Sequence, residues 1–167
     1  MKKWLIGIIA LVALLSIAAG VGVTVSRGRE PIPQPIAFSH KIHAGDYKIA
    51  CEYCHLYARR AGIAGIPSVQ RCMGCHKITA RANPEVRKLR GYWERQEPVQ
   101  WIKTVIMPDF AYFEHWPHVR SGAACQTCHG AVQVMEQLPR NENLTMSYCI
   151  SCHRQQQVSI DCVTCHR

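Results

Sequence analysis

The stretch Cys51-Glu52-Tyr53-Cys54-His55 decides how the chain is read, because its pattern, Cys-x-x-Cys-His, occurs four more times and uses every cysteine. It returns as Cys72-Met73-Gly74-Cys75-His76, Cys125-Gln126-Thr127-Cys128-His129, Cys149-Ile150-Ser151-Cys152-His153 and Cys162-Val163-Thr164-Cys165-His166. Chance placement of the chain's Cys and His would give on the order of 0.03 such pentapeptides. A disulfide framework gives no reason for a His after every second Cys, and zinc sites pair Cys-x-x-Cys with a second such pair or with spaced histidines. The pattern is the attachment signature of c-type haem. Two thiols at this spacing add to the vinyl groups of one porphyrin, and the next residue sits beneath the iron as proximal ligand. The expected cofactors are five covalent haems c on Cys51/Cys54, Cys72/Cys75, Cys125/Cys128, Cys149/Cys152 and Cys162/Cys165. Their proximal ligands are His55, His76, His129, His153 and His166.

Length and charge bound the rest. With the apolar N-terminus and its linker set aside, about 130 residues remain, or roughly 26 per haem. That is too little chain for a side-chain core around each cofactor, so the haems themselves are expected to form the core. The formal charge of +9 would ordinarily point to nucleic acid or an anionic surface. Two propionates against a ferric porphyrin bring about one negative charge per oxidised haem, so five haems lower the total to about +4 oxidised and about −1 reduced. The basic excess is internal neutralisation, and no basic-and-aromatic interleaving argues for nucleic acid.

From the N-terminus, Trp4 to Val25 carry no charge, after Lys2 and Lys3 and before Ser26-Arg27-Gly28-Arg29-Glu30. As a helix this run would span about 33 Å, enough for a bilayer's hydrocarbon core, so residues 1–25 are expected to be a transmembrane anchor. A cleaved signal peptide is the alternative, with Ser16-Ile17-Ala18 imitating a cleavage site. Residues 26–36 contain Pro31, Pro33 and Pro35 and are expected to be a stiff extended spacer. Haem is attached outside the cytoplasmic membrane, so the expected location is single-pass in that membrane with the haem domain on the periplasmic side.

An internal repeat follows. Phe38-Ser39-His40-Lys41-Ile42-His43 precedes the first two motifs, and Phe113-Glu114-His115-Trp116-Pro117-His118 precedes the third and fourth. Residues 37–77 and 112–154 are therefore expected to be duplicated dihaem modules, joined by a helix and linker over 78–111 and followed by a fifth-haem segment over 155–167. Within the linker, Asn83-Pro84-Glu85 has the marks of a helix start, and the helix is expected to run to about Gln96 before Pro98. A haem iron takes six ligands and the motif His fills one side. His40, His43, His115 and His118 are the only histidines outside the motifs, and they are the expected distal ligands. Rings three residues apart on a turn point about 60° apart around its axis and can serve different haems.

No histidine remains for the fifth iron. Methionine is the natural substitute, and His/Met ligation raises the reduction potential above bis-histidine. Met1 opens the N-terminal run, Met73 lies between two haem cysteines and Met107 is outside both modules, which leaves Met146 ahead of Met135. Either sulfur could instead pack against a haem face.

Several stretches resemble the membrane-anchored pentahaem cytochrome c subunit of alternative complex III. They are Phe38-x-His40-x-x-His43-Ala44-Gly45, Ala64-Gly65-Ile66-Pro67-Ser68, Pro108-Asp109-Phe110-Ala111-Tyr112-Phe113-x-His115 and Leu144-Thr145-Met146. Ser147-Tyr148 stands where that family is expected to carry Gly-Trp. The paired-histidine units are also similar to those of cytochromes c3 and c7, and the resemblance implies that the two histidines of one unit ligate two haems. The implied fold is mainly α with little regular structure, a c3/c7-like multihaem domain on a single N-terminal transmembrane helix. The implied role is electron transfer in quinol oxidation, without bond-making chemistry and with no catalytic residues. The implied partners are the membrane bilayer, an iron–sulfur protein, integral-membrane quinol-binding subunits, a further cytochrome c, and a soluble carrier or terminal oxidase.

Two other readings are weighed. A multihaem nitrite or hydroxylamine reductase would need an open iron with acid–base residues above it, and no spare His is left for that pocket. A free-standing quinol dehydrogenase would need a quinol pocket near the first haem, where residues 26–36 offer little beyond Arg and Pro. The haem count is directly testable: the denatured polypeptide should keep five haem masses and give five haems per chain by pyridine haemochrome, and three or fewer would overturn the assignment.

Overall fold

The computed structural model describes residues 2–27, 31–141 and 144–166, with side chains in the first helix described for residues 4 and 6–17. The chain divides into two compact units, Met1–Pro31 and Ile32–Arg167.

The first unit is the helix α1, Lys2–Arg27. Among the described residues, no helix is long and apolar enough to cross a membrane. The expected transmembrane anchor over 1–25 is corrected accordingly, and with it the single-pass location; the side chains of residues 18–25 lie outside the description.

The second unit is mainly helical. Its helices are α2 (Cys51–Cys54), α3 (Val69–His76), α4 (Pro84–Glu94), α5 (His115–Arg120), α6 (Cys125–His129), α7 (Met146–Gln155) and α8 (Cys162–Cys165), with a π turn at Lys41–Asp46 and a 3-10 turn at Val132–Val134. Two local forms hold the five motifs. Motifs 2 and 4 end longer helices, and each of these helices is capped four residues before its first cysteine. Ser68 accepts from the Arg71 amide at the start of α3, and Thr145 accepts from the Tyr148 amide at the start of α7. Each hydroxyl satisfies an amide that the first turn would leave unpaired. Motifs 1, 3 and 5 instead start their own short helices, each directly after an extended residue, Ala50, Ala124 or Asp161.

The duplication is visible in the backbone. In the first module the Ile49 amide bonds the His43 carbonyl, and in the second the Ala123 amide bonds the His118 carbonyl. The first loop has one more residue than the second. The π turn absorbs it, as its Ile42 carbonyl accepts from Tyr47 five residues on. The π turn packs against the 3-10 turn so closely that a Cβ at Gly45 would collide with the Gln133 carbonyl oxygen.

Helix α4 starts where the sequence places it: Asn83 accepts from the Glu85 amide, Pro84 opens the first turn, and the helix stops before Gln96 at φ +56°. Its apolar face lies on α3. Ile36, Met73 and Leu89 form a small core, covered by Val69, Cys72, Tyr92, Trp93, Val99 and Trp101. Glu85 also accepts from the Ala37 amide at 2.6 Å, and Gln34 exchanges two 2.9 Å bonds with the Ile102 backbone. Residues 34–37 are therefore fastened to α4 and to the linker that follows it.

Ala58 and Val86 complete the buried hydrophobics, so among the described residues only five are buried. Ile63, Ile78, Tyr57 and Phe110 are exposed around the motifs, apolar surface that side chains leave uncovered and that porphyrin faces would cover. Expressed without haem attachment, the second unit is expected to lose its cooperative thermal transition and to be digested rapidly by trypsin. A sharp transition in the haem-free chain would show instead that side chains alone form the core.

Candidate haem-binding centres

The ten cysteines are all unpaired thiols. Among the described residues no three His, Cys, Asp or Glu side chains converge as a metal cage requires, which fits neither the disulfide nor the zinc alternative. Burial pushes the Cys54, Cys72, Cys125, Cys128 and Cys149 thiols up from their ordinary value.

Three histidine pairs stand about 6 Å apart, at interplanar angles of 66°, 2° and 44°. The ring centres of His43 and His76 are 6.0 Å apart, those of His115 and His129 are 6.3 Å apart, and those of His118 and His153 are 5.9 Å apart. A metal–imidazole bond of about 2 Å plus about 1 Å from that nitrogen to the ring centre, taken on both sides, gives roughly 6 Å. The pairs therefore have the spacing that one iron between them demands. The fourth spare histidine, His40, neighbours His55. Burial first, then the His55 and His43 rings, lower its pKa to about 4. In each module the first His of the unit meets the first motif and the second His meets the second.

The rings are aimed by the backbone. His43 Nδ1 donates to Ser39 O at 2.8 Å, His55 to Gly65 O at 2.6 Å, His76 to Thr79 O at 3.2 Å and His115 to Gly62 O at 2.6 Å. His118 donates to Glu114 O at 2.7 Å, His153 to Ser159 O at 2.7 Å and His166 to Phe110 O at 3.0 Å. A carbonyl only accepts, so Nδ1 carries the proton and Nε2 keeps its lone pair for a metal. Two histidines depart from this: His40 has a buried Nδ1 without a protein partner, and His129 makes no such bond.

The sequence did not reveal the role of the phenylalanine in each unit. Phe38 stacks on His43 at 4.4 Å and meets His40 edge-on at 4.8 Å; Phe113 lies 4.6 Å from His118 and meets His115 edge-on at 4.8 Å. One ring thus holds two imidazoles apart in both modules. The only advance signal was that Phe recurs two residues before each first histidine.

The two candidate methionines occupy different surroundings. The Met135 carbonyl accepts from the Lys41 amide at 2.9 Å, and its methyl lies 3.8 Å from where a Cβ on Gly130 would sit. It therefore belongs between motifs 1 and 3. Met146 opens α7 and is exposed, one turn before Cys149, whose thiol neighbours Cys165 of motif 5.

Residues 111–167 match the family of cytochrome c7 and related cytochrome c, in line with mainly helical, c7-like multihaem centres in that part of the chain. The chain is similar to the multihaem cytochrome c subunit of menaquinone reductase from Nitratidesulfovibrio vulgaris (strain Hildenborough), 27% identical over 161 residues that cover 80% of this chain and 77% of the relative.

Gly65 offers a local test. It sits at φ +80°, a Cβ there would come 2.8 Å from Tyr57 Cδ2, and its carbonyl aims His55. Gly65→Ala should cost about 1–2 kcal/mol of stability for the left-handed backbone alone. It should also shift the midpoint potential of one haem, read by thermal melting and a redox titration.

Proposed function

We propose that the chain carries five covalent haems c and serves as the pentahaem electron-transfer subunit of a quinone-linked oxidoreductase of the alternative complex III kind. The single observation that supports the ligand scheme best is the recurrence of a gap of about 6 Å between a spare and a motif histidine. The assigned pairs are His40 with His55, His43 with His76, His115 with His129, and His118 with His153. For the fifth iron, opposite His166, Met146 is the assigned ligand, because Met135 lies beside motifs whose irons already have two histidines.

Haem supplies a one-electron carrier at each centre. The chain's own part is to fix each imidazole with its lone pair toward the iron, to exclude water with apolar side chains, and to hold neighbouring centres close. No group with a base or acid role is assigned, so the role is electron transfer and the partners are the other subunits of the complex and its acceptor.

A second reading, prompted by the name of the relative, sends electrons in the opposite direction, into menaquinone. The odd haem separates the two. Thioether sulfur favours ferrous iron, so a His/Met centre should titrate well above its bis-histidine neighbours and act as an exit toward a high-potential acceptor, as quinol oxidation needs. Purification of the native complex should yield co-migrating iron–sulfur and quinone-binding subunits, with haem reduction by a quinol analogue. Five uniformly low potentials, with oxidation of the haems by menaquinone analogue, would favour the second reading.

Met146→His should abolish the sulfur-to-iron charge-transfer band and lower one potential of five. If only Met135→Ala removes that band, the ligand assignment passes to Met135. If neither change matters and one haem binds carbon monoxide without displacing protein, the fifth iron is open and a reductase activity has to be tested.

A further inference from the structure

The five motifs do not follow one another in space as they do in sequence. We propose that they form a single line in the order 2, 1, 3, 4, 5, so that Cys72–His76 and Cys162–His166 are its two ends. This rests on the haem occupancy proposed above and adds the path.

Each neighbouring pair is tied by contacts of its own. Motifs 1 and 2 share the π-turn segment: His40 serves one and His43 the other, three residues apart. Arg71 of α3 lies over the Tyr53 ring within motif 1 at 5.0 Å. Motifs 3 and 4 are joined in the same way through His115 and His118, and the Tyr148 hydroxyl of α7 donates to the Thr127 carbonyl inside motif 3.

The link between modules runs through motif 1, which is not the motif preceding motif 3 in sequence. His129 of motif 3 stands 6.3 Å from His115, which opens α5. The segment just after motif 1 is fastened to α5. Gly62 O takes both the backbone N–H and the Nδ1–H of His115, Ala61 O takes the Trp116 amide, and Arg59 O takes Arg120 Nε.

Motif 5 continues from motif 4. Ser159 accepts the His153 Nδ1–H on its carbonyl and meets Thr164 Oγ1 of motif 5 at 3.1 Å with its hydroxyl. Motif 2 faces away from this line: beyond motif 1, the apolar face of α3 is covered by α4.

Electron tunnelling falls steeply with distance, so transfer follows these neighbours. With haem bound at each motif, a step would oxidise one ferrous iron and reduce the adjacent ferric iron, with no bond or proton moved. A one-electron donor and a one-electron acceptor outside the chain must then dock at opposite ends, one by α3 and one by α8.

The test is an NMR redox titration of the full-length holoprotein, following haem methyl signals through each stage of reduction. Reduction of one haem opposes reduction of its nearest neighbours, so an end haem shows one strong interaction and an inner haem two. Haem 2 should interact strongly with haem 1 alone, and haem 1 with haems 2 and 3. His43→Met, which raises the potential of haem 2 without touching a thioether, identifies its signals and should shift haem 1 and leave haem 3 in place. A strong interaction of haem 2 with haem 3, in the wild type or the variant, overturns the order. Fewer than five haems by mass overturns the proposed occupancy instead, so the two failures are distinct.

Discussion

The arrangement depends on one hydrogen bond repeated seven times, from a histidine Nδ1–H to a backbone carbonyl. An imidazole offers two nitrogens, and only the one without the proton can bind iron. By presenting a carbonyl to Nδ1, the chain fixes both the tautomer and the ring direction before any metal is met. The carbonyls come from positions that have nothing in common by residue type: Ser39, Thr79, Ser159, Gly62, Gly65, Glu114 and Phe110. What they share is a backbone held by turns and by the chain's few caps. The sparse side-chain core is consistent with this. A fold that builds itself around cofactors needs its polypeptide mainly to hold ligands at fixed angles.

The duplication shows which features of a module are obligatory. Both copies keep a phenylalanine between the two histidines, a Ser or Thr cap four residues before the second motif's first cysteine, and an amide bonded to the second histidine's carbonyl. They differ in loop length by one residue, and the difference is taken up by a wider helical turn that leaves both imidazoles in register. Motif 5 has the local form of motifs 1 and 3, an extended residue followed at once by the first cysteine, although no paired-histidine unit precedes it. Its histidine is oriented from the linker instead, at Phe110.

Much of this was legible in the residues. The five pentapeptides, the two paired-histidine units and the helix beginning at Asn83 are local patterns, each within a dozen residues, and each is where the sequence put it. The pairing of spare with motif histidines was not legible, since His40 and His43 both lie nearer motif 1 than motif 2 in sequence, and His43 comes beside His76 only in the fold. The carbonyl partners have no residue signature at all. The N-terminal run differs: twenty-two uncharged residues satisfy a length criterion, but among the described residues no helix is long and apolar enough to cross a membrane.

Two of the seven carbonyls lie far from their histidines in sequence, and both lie upstream. His115 takes its direction from Gly62, and His166 from Phe110. During synthesis, each of these rings therefore emerges after the carbonyl that will orient it. The other five find their partners within about ten residues and can be set as soon as the segment forms. Assembly that starts from the N-terminus would thus seat His115 and His166 on segments already in place, while the other rings are set locally. A substitution that displaces the Gly62 carbonyl would then misdirect His115, 53 residues further along the chain.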